Sequence, residues 1–251
     1  MKTILFILLV AVSSEGFAQG KGKPLNSFMD LTATAGSAQG TVAYGLVINR
    51  KIGKAKKLEA GLGLRTTFYT GVKKDFITAG PARYTRTFTA PFAIFFAGQQ
   101  EQHFDTLQVQ RPLTVSFNLT INAGYHFTSR WYAGFNIDLI GFTGGRKSSS
   151  IFTGITKGQQ GNFTVAETKP TAFNLLLTGD HDKGTLNSEF FLRYHLSGRF
   201  AVKAVYQFIF VEYRTPPGFQ QEIPGGPLND RFRNKANNFG IGITYDLNLF
   251  Q

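Results

Sequence analysis

The residues best suited to catalysis are His195 and Ser197, followed at a distance by Glu212. A histidine activates a serine hydroxyl for attack on an ester when an acid orients the imidazole. Ser197 precedes Gly198 and Arg199, which is typical of a tight turn, whereas Glu212 lies at the far end of the next predicted strand. At roughly 3.3 Å per strand residue, Ser197 and Glu212 are about 40 Å apart. We therefore expect no catalytic residues in this set.

A second candidate is the acidic segment 180–184, which is followed by Glu189. Carboxylates at alternate positions before a glycine suit a hard cation such as calcium. The segment lacks the ligand at the fifth position and the acidic residue at the twelfth position of a calcium-binding loop. Because aspartate and glycine also favour turns, we expect a turn here, with no bound metal and no cofactor.

Composition narrows the class of protein further. The 251 residues include no cysteine, which excludes disulfides, thiolate chemistry and cysteine-ligated zinc. Only 17% of residues are charged, 14% are aromatic and 28 are glycine. This mixture favours many strands joined by tight turns over a helical enzyme. The net charge of +12 suits anionic lipid headgroups, and without a nucleic-acid motif we expect no nucleic-acid partner.

Residues 1–18 have the features of a secretory signal peptide. Lys2 supplies a positive start, residues 4–12 are apolar, and the small residues Gly16 and Ala18 precede the predicted cleavage site. The apolar run is too short to cross a bilayer as a helix, which takes about 20 residues. No other segment comes close to that length, so a membrane protein with this sequence must cross by strands.

From residue 28 onward, apolar and polar side chains alternate with a period of two. Between residues 113 and 127 the odd positions are apolar or aromatic and the even positions are polar or glycine. Since successive strand side chains point to opposite faces, this segment is a strand with one apolar and one polar face. The same pattern predicts eight strands, near residues 27–37, 40–51, 58–71, 111–127, 131–143, 185–197, 199–213 and 237–250.

The connections between these strands alternate in length. Short turns and long segments follow each other in the order found in outer-membrane β-barrels, where short turns face the periplasm and long loops lie outside. We therefore predict an eight-stranded antiparallel up-and-down transmembrane β-barrel over residues 19–251, with both termini in the periplasm. The predicted short turns lie near 53–54, 128–130 and 197–199, the long outer loops near 72–110, 144–184 and 214–236, and one short outer connection near 36–40.

The apolar face distinguishes this fold from its water-soluble alternatives, a secreted β-sandwich or a ligand-binding barrel. It carries large residues along the strands and aromatic residues at the strand ends, such as Trp131, Tyr125, Tyr245 and Phe210. A lipid-facing belt with aromatic girdles has this composition.

Four segments carry a family resemblance: residues 134–138 (GFNID), 184–189 (GTLNSE), 231–235 (RFRNK) and 245–251 (YDLNLFQ). They are similar to stretches of uncharacterised small outer-membrane β-barrel proteins of Bacteroidota. The resemblance spans the whole mature chain and implies location and fold, but it carries over no activity. The terminal phenylalanine common in such proteins is here the penultimate residue, Phe250.

The polar face of the strands predicts the interior of the barrel. Eight strands enclose a lumen just wide enough for side chains to fill. Buried acids and bases are costly unless they pair and form hydrogen bonds, so we predict a salt-bridged plug rather than a pore. The predicted lumen residues are Asp30, Glu59, Arg65, Asn136, Asp138, Asn187, Glu189, Arg193, Lys203 and Asp246.

The predicted outer loops hold two further candidate sites. The run that contains Phe92, Phe95 and Phe96 is too apolar for a solvated loop, and it could dock a partner, cap the barrel or extend the sheet. Before the last predicted strand, the basic residues are candidate lipopolysaccharide contacts, with a solvated basic loop as the alternative. These residues are Arg231, Arg233 and Lys235.

No group of residues defines an activity. We expect a non-enzymatic outer-membrane barrel that is structural or an accessory subunit of an envelope assembly. Its expected partners are outer-membrane lipid, lipopolysaccharide and a protein of that assembly. The order His195, Ser197, Glu212 also resembles that of outer-membrane lipid A deacylases, so a lipid-modifying enzyme is one alternative and a narrow channel is another.

Overall fold

The computed structural model describes residues 25–87, 98–154, 160–177, 182–220 and 228–247. Within these ranges, thirteen strands form one antiparallel sheet, accompanied by one short helix and one 3-10 turn. The elements are β1 (Leu25–Gly36), β2 (Gln39–Ile52), β3 (Leu58–Gly71), β4 (Lys74–Thr78), α1 (Ala82–Thr85), the 3-10 turn (Glu101–His103), β5 (Thr106–Val109), β6 (Leu113–His126), β7 (Trp131–Gly145), β8 (Ser148–Gly154), β9 (Gly161–Pro170), β10 (Phe173–Leu175), β11 (Leu186–His195), β12 (Phe200–Arg214) and β13 (Arg231–Asp246).

Several predicted features lie outside the described residues. They are the signal peptide at 1–18, the apolar run with Phe92, Phe95 and Phe96, residues 180–181 of the acidic segment, and residues 248–251 at the end of the last predicted strand.

Eight strands of 10 to 16 residues coincide with the eight strands predicted from the alternation. Hydrogen bonding runs β1–β2–β3–β6–β7–β11–β12–β13 and returns to β1. We call this closed set the long-strand ring, and the end with the three short turns the turn end. The largest difference from prediction is at β13, which begins at Arg231 instead of residue 237.

The total of thirteen strands corrects the predicted count of eight. The predicted loops 72–110 and 144–184 contain five further strands, of which β4, β5, β8 and β9 pair side by side in that spatial order. β4 also pairs with β13, and β9 pairs with β12. These four strands and the ends of β12 and β13 therefore close a second ring, the cap ring, opposite the turn end. Twelve strands lie in the combined ring, and β10 extends the sheet from β7.

The inside of the cap ring is apolar. Phe76, Leu107, Phe152 and Phe232 are fully buried there. The Phe152 ring meets the Phe232 ring edge-on, with centroids 5.8 Å apart. Because these side chains come from β4, β5, β8 and β13, their burial holds the short strands together and closes the ring over the lumen.

The outer face of the long-strand ring is a continuous apolar surface. Outward positions carry exposed side chains such as Leu46, Phe117 and Ile241, the last with 73% of its surface exposed. Aromatic pairs lie along the wall and also at the turn end, where Trp131 and Tyr194 have ring centroids 4.8 Å apart. Two similar pairs there are Tyr125–Phe127 and Phe200–Tyr245. Within the described part of the chain, no helix is long and apolar enough to cross a membrane.

The apolar core of the cap ring generates the first prediction. Phe152→Ala should destabilise the cap ring by about 3–5 kcal/mol, because truncating a buried aromatic side chain leaves a cavity. Limited trypsin digestion measures the effect as faster cleavage at Arg146 and Lys147, which directly precede β8. The control is Ile151→Ala, whose side chain is 41% exposed on the opposite face. Equal cleavage of both variants would contradict the packing described.

Candidate functional site: the polar lumen

All ten residues predicted for the lumen lie on the inner wall of the long-strand ring. Nine of them are buried, and Asp246 at the turn end is half-buried. They come from β1, β3, β7, β11, β12 and β13, so strands far apart in sequence bring their charges into one space.

Asp30 is one end of a chain of ion pairs that crosses this space. Its carboxylate accepts hydrogen bonds from Lys203 Nζ at 3.0 Å and from Arg193 Nη2 at 3.3 Å. The hydroxyl of Thr244 donates a third hydrogen bond at 2.5 Å. Asp30 lies on β1 and its partners lie on β11, β12 and β13, so it links four strands.

The chain continues through Glu189 to Asp138. Glu189 lies 3.7 Å from Lys203 and 3.5 Å from Arg65, and Asn136 donates to it at 3.2 Å. Arg65 donates to Asp138 from Nε at 3.0 Å and from Nη2 at 2.5 Å. Acids and bases therefore alternate along a continuous line across the barrel.

Asp138 completes the line with bonds from uncharged groups. Asn118 Nδ2 donates at 2.7 Å and the backbone N–H of Asn187 donates at 2.9 Å to the same carboxylate oxygen. Arg65 in turn donates to Asn136 Oδ1 and to the backbone carbonyl of Asn187. Both oxygens of the buried carboxylate are thus satisfied, which is the condition under which a buried ion pair is tolerated.

Two local features of the backbone make room for this network. A β-bulge shifts the β6–β7 register between Leu119 and Thr120, and Leu139 is the extra residue on β7. The bulge switches the inward positions of β7 from even residues, which include Asn136 and Asp138, to odd residues, which include Gly141 and Thr143. On β13, a Cβ at Gly242 would lie 2.7 Å from Lys203 Cε, so glycine leaves the path that the lysine side chain occupies.

Over the described residues, side chains fill the centre of the lumen. The cavity beside Asp30, Arg65, Glu189 and Lys203 measures about 20 Å³, which is room for about one water molecule. Towards the cap ring the next layer consists of hydrogen-bonded side chains, and beyond it lies the apolar core of the cap ring. That polar layer is made of Thr34, Thr41, Gln207 and Asn238.

The turn end holds the remaining two predicted lumen acids. Glu59 lies 2.8 Å from His126 Nε2 and accepts a hydrogen bond from Asn26 at 3.2 Å. Asp246 lies 3.8 Å from His195 Nδ1. Glu59 and Asp246 are therefore near bases, although they stand apart from the central line of ion pairs.

The structure does not bring His195, Ser197 and Glu212 together. Ser197 lies in the exposed turn, where its Oγ accepts hydrogen bonds from the backbone N–H groups of Arg199 and Phe200. Glu212 lies in the cap ring at the other end of β12. The spacing argument that excluded a catalytic triad thus agrees with the positions found.

The prediction that Arg231, Arg233 and Lys235 precede the last strand in a loop is wrong, because all three lie on β13. Glu212 faces Arg233 across the β12–β13 pair. Arg231 donates to Glu212 at 2.9 and 2.8 Å, and Arg233 donates at 3.0 Å. Two of the three predicted lipopolysaccharide contacts are therefore engaged by a buried carboxylate. Lys235 Nζ lies 5.6 Å from the centre of the Phe210 ring.

We call Glu212, Arg231 and Arg233 the clamp. Both arginines also donate to the backbone carbonyl of Asp182, which ties the segment before β11 to the sheet. Burial opposes ionisation of Glu212, but the hydrogen bond from Arg231 and the charges of both arginines outweigh it and hold the pKa of Glu212 below its ordinary value. The sequence signal for the clamp was an acid at position 212 and a base at position 233. Strand alternation alone does not reveal that these two positions face each other across paired strands.

Metal binding finds no support among the described residues, since they contain no group of three His, Cys, Asp or Glu side chains placed to hold an ion. The acidic segment forms a turn at its described end. Asp182 Oδ1 accepts a hydrogen bond from the backbone N–H of Leu177 at 2.7 Å, and Gly184 has a φ of +76°.

No protein-family model matches the chain, and no curated protein matches its sequence. Three solved outer-membrane barrels are similar in fold. The N-terminal β-barrel domain of Pseudomonas aeruginosa OprF shares 12% identity over 90% of this chain and 100% of that chain, with a TM-score of 0.32. Neisserial surface protein A shares 8% identity over 89% and 96%, with a TM-score of 0.35. The attachment invasion locus protein Ail of Yersinia pestis shares 8% over 90% and 100%, with a TM-score of 0.32. Likeness at this level indicates no role for the chain.

The lumen network generates the second prediction. Glu189→Ala should lower stability by about 3–5 kcal/mol, because it leaves buried Lys203 and Arg65 each with one partner fewer. The thermal unfolding midpoint in detergent measures the loss. The control is Glu167→Ala, which removes an exposed partner of Lys147 and should cost no more than about 1 kcal/mol. An unchanged midpoint for Glu189→Ala would contradict the plug.

The clamp generates the third prediction. Because the pKa of Glu212 is lowered by folding, its ionised form contributes stability that is fully present above the ordinary value of 4.5 and is lost as the pH falls below it. Glu212→Gln should therefore unfold at a lower temperature than the wild type at neutral pH, with a gap that narrows in acid. Thermal unfolding across that range measures the gap. The control Glu167→Gln alters an exposed acid and should unfold at the same temperature as the wild type. A difference in unfolding temperature between Glu212→Gln and the wild type that stays constant with pH would refute the clamp.

Proposed function

We propose that this chain is a non-enzymatic β-barrel of the bacterial outer membrane, in which the eight strands of the long-strand ring cross the membrane around a plugged lumen. The observation that carries the proposal is the polarity of the wall. Its outward face is apolar and exposed, while its inward face holds a buried line of acids and bases. A water-soluble barrel requires the opposite arrangement, since exposed charge and buried apolar surface stabilise a protein in water.

The closed pairing of the strands supports a membrane location independently. Lipid offers no hydrogen-bond partners to the backbone, so a spanning sheet must close on itself. The long-strand ring does so without a free edge among its named strands. The aromatic pairs at the turn end occupy the place where aromatic girdles lie at a membrane interface.

The sidedness follows from the lengths of the connections. The short turns of the turn end belong in the periplasm and the cap ring belongs outside the cell. The described chain starts on β1 and ends just after β13, and both of these points lie at the turn end. Together with the secretory features of the N-terminal residues, this supports termini in the periplasm.

The role that fits a filled barrel is structural or that of an accessory subunit in an envelope assembly. Over the described residues, the ion-paired lumen and the apolar core of the cap ring fill the interior of the barrel, which favours a plug over a pore. Ser197 Oγ accepts two backbone hydrogen bonds within its turn, and no hydrogen bond among the described residues joins it to His195, which disfavours the lipid-modifying alternative. The cap ring is then the part that the barrel presents outside the cell.

Replacing an outward side chain with arginine tests the membrane location. Ile241→Arg should cost about 2–4 kcal/mol on folding into lipid vesicles, because it places a charge in the hydrocarbon layer. The control is Val72→Arg, which changes another exposed apolar residue (58%) next to the cap ring and should have little effect. Reversible unfolding by urea in vesicles measures both. If both variants fold as well as the wild type, the outward face does not contact lipid.

Native co-purification tests the accessory role. Membranes solubilised in mild detergent should yield a stoichiometric protein partner with the wild-type chain, and Phe152→Ala should lose that partner while the barrel still inserts. Mass spectrometry of the intact complex measures the stoichiometry. A barrel that is strictly solitary in native membranes would contradict the subunit role and leave the structural one.

A further inference from the structure

The turn end carries exposed basic side chains on all three of its short turns. The β2–β3 turn is the richest, and the β6–β7 and β11–β12 turns each add one arginine. None of these residues belongs to the lumen network or to the clamp. They are Lys54, Lys56 and Lys57 on the first turn, Arg130 on the second and Arg199 on the third.

These charges are not balanced by acids at the same end. Among the described residues, the carboxylates nearest the turns are Glu59 and Asp246, and both point into the barrel. Glu59 is buried and bound to His126 at 2.8 Å, and Asp246 lies 3.8 Å from His195. The outward surface of the turn end is therefore uniformly positive over the described part of the chain.

The basic residues lie directly beside the aromatic pairs. Arg130 Nη1 donates a hydrogen bond to the Tyr194 hydroxyl at 3.2 Å, and Tyr194 packs against Trp131. Tryptophan and tyrosine lie at the headgroup level of a membrane. A guanidinium bound to such a tyrosine is consequently within reach of lipid phosphates.

The distribution of the charges indicates the shape of the partner. The three turns join β2 to β3, β6 to β7 and β11 to β12, so they alternate around the circumference of the long-strand ring. A protein partner would contact one side of this rim. A lipid leaflet surrounds the barrel and contacts every turn at once.

We propose that the turn end of the barrel is a binding surface for anionic phospholipid headgroups, with Lys54, Lys56, Lys57, Arg130 and Arg199 as its contacts. This inference rests on the proposed membrane function and adds the chemistry of the lipid it selects. An anionic headgroup has no cation of its own, so the negative charge of its phosphodiester attracts these basic residues. A zwitterionic headgroup carries a cation beside its phosphate and therefore attracts them less.

Lipid selectivity measured by electron spin resonance tests the proposal. The full chain is reconstituted in phosphatidylcholine vesicles, and the association of spin-labelled phosphatidylglycerol is compared with that of spin-labelled phosphatidylcholine. Wild type should favour phosphatidylglycerol about fivefold at low salt, and salt should weaken the preference. The variant Lys54→Gln/Lys56→Gln/Lys57→Gln should lose at least half of it, and Arg130→Gln/Arg199→Gln should lower it as well.

The matched control removes the same charge at the cap end. This control is the triple variant Lys73→Gln/Lys147→Gln/Lys169→Gln. Each triple variant changes one lysine with a positive φ, which is 47° at Lys73 and 50° at Lys56, so any backbone strain from that change is similar in both. Its selectivity should equal that of the wild type. A loss in this control, or full selectivity in the turn variant, would overturn the proposal.

Two further outcomes separate this inference from the proposed function. A wild-type chain that inserts, as judged by protection from protease, yet shows no lipid selectivity would refute the headgroup surface alone. A wild-type chain that fails to insert into vesicles of either lipid would count against the membrane barrel itself. Salt-sensitive binding to purified peptidoglycan without lipid selectivity would assign the basic rim to cell-wall carboxylates instead.

Discussion

The line of ion pairs from Asp30 through Lys203, Glu189 and Arg65 to Asp138 is the interaction on which the rest of the barrel depends. Each charge is buried, and burying a single one without a partner would cost several kcal/mol. Acids and bases alternate along the line, so every member neutralises its neighbours. The same contacts connect strands that are distant in the chain, because Asp30 lies on β1 and its partners lie on β11, β12 and β13.

A filled lumen and an apolar outer face have one common cause. In a closed ring of strands with period-two side chains, everything that does not face the lumen must face the surroundings. Once the lumen takes the charged residues, the outward face is left with side chains such as Phe117 and Ile241. The cap ring reverses this division, since its inside holds Phe76, Phe152 and Phe232. One hairpin, β12–β13, belongs to both rings and changes from a polar to an apolar inner face along its length, as Lys203 and Gln207 give way to Ile209 and Val211.

Alternation was sufficient to predict the eight long strands and the inward direction of the lumen residues, because every residue of a long strand repeats the same signal. It was insufficient for β4, β5, β8, β9 and β10, which have between 3 and 10 residues and include a register shift between Ser148 and Ser150. Arg231 and Arg233 were recognised as basic, but Glu212 was considered only as a catalytic acid. Its true partners depend on the register of two paired strands, which a single sequence does not contain.

The central claim is that the outward face of the long-strand ring contacts lipid while the inward face contacts neither lipid nor water. The chain has no cysteine, so single cysteines can be introduced at each position from 42 to 47 on β2 and spin-labelled in vesicles. Positions 42, 44 and 46 should be accessible to oxygen dissolved in the bilayer and protected from a water-soluble nickel complex, and positions 43, 45 and 47 should be protected from both. Accessibility of the even positions to the nickel complex, or no alternation at all, would contradict the account.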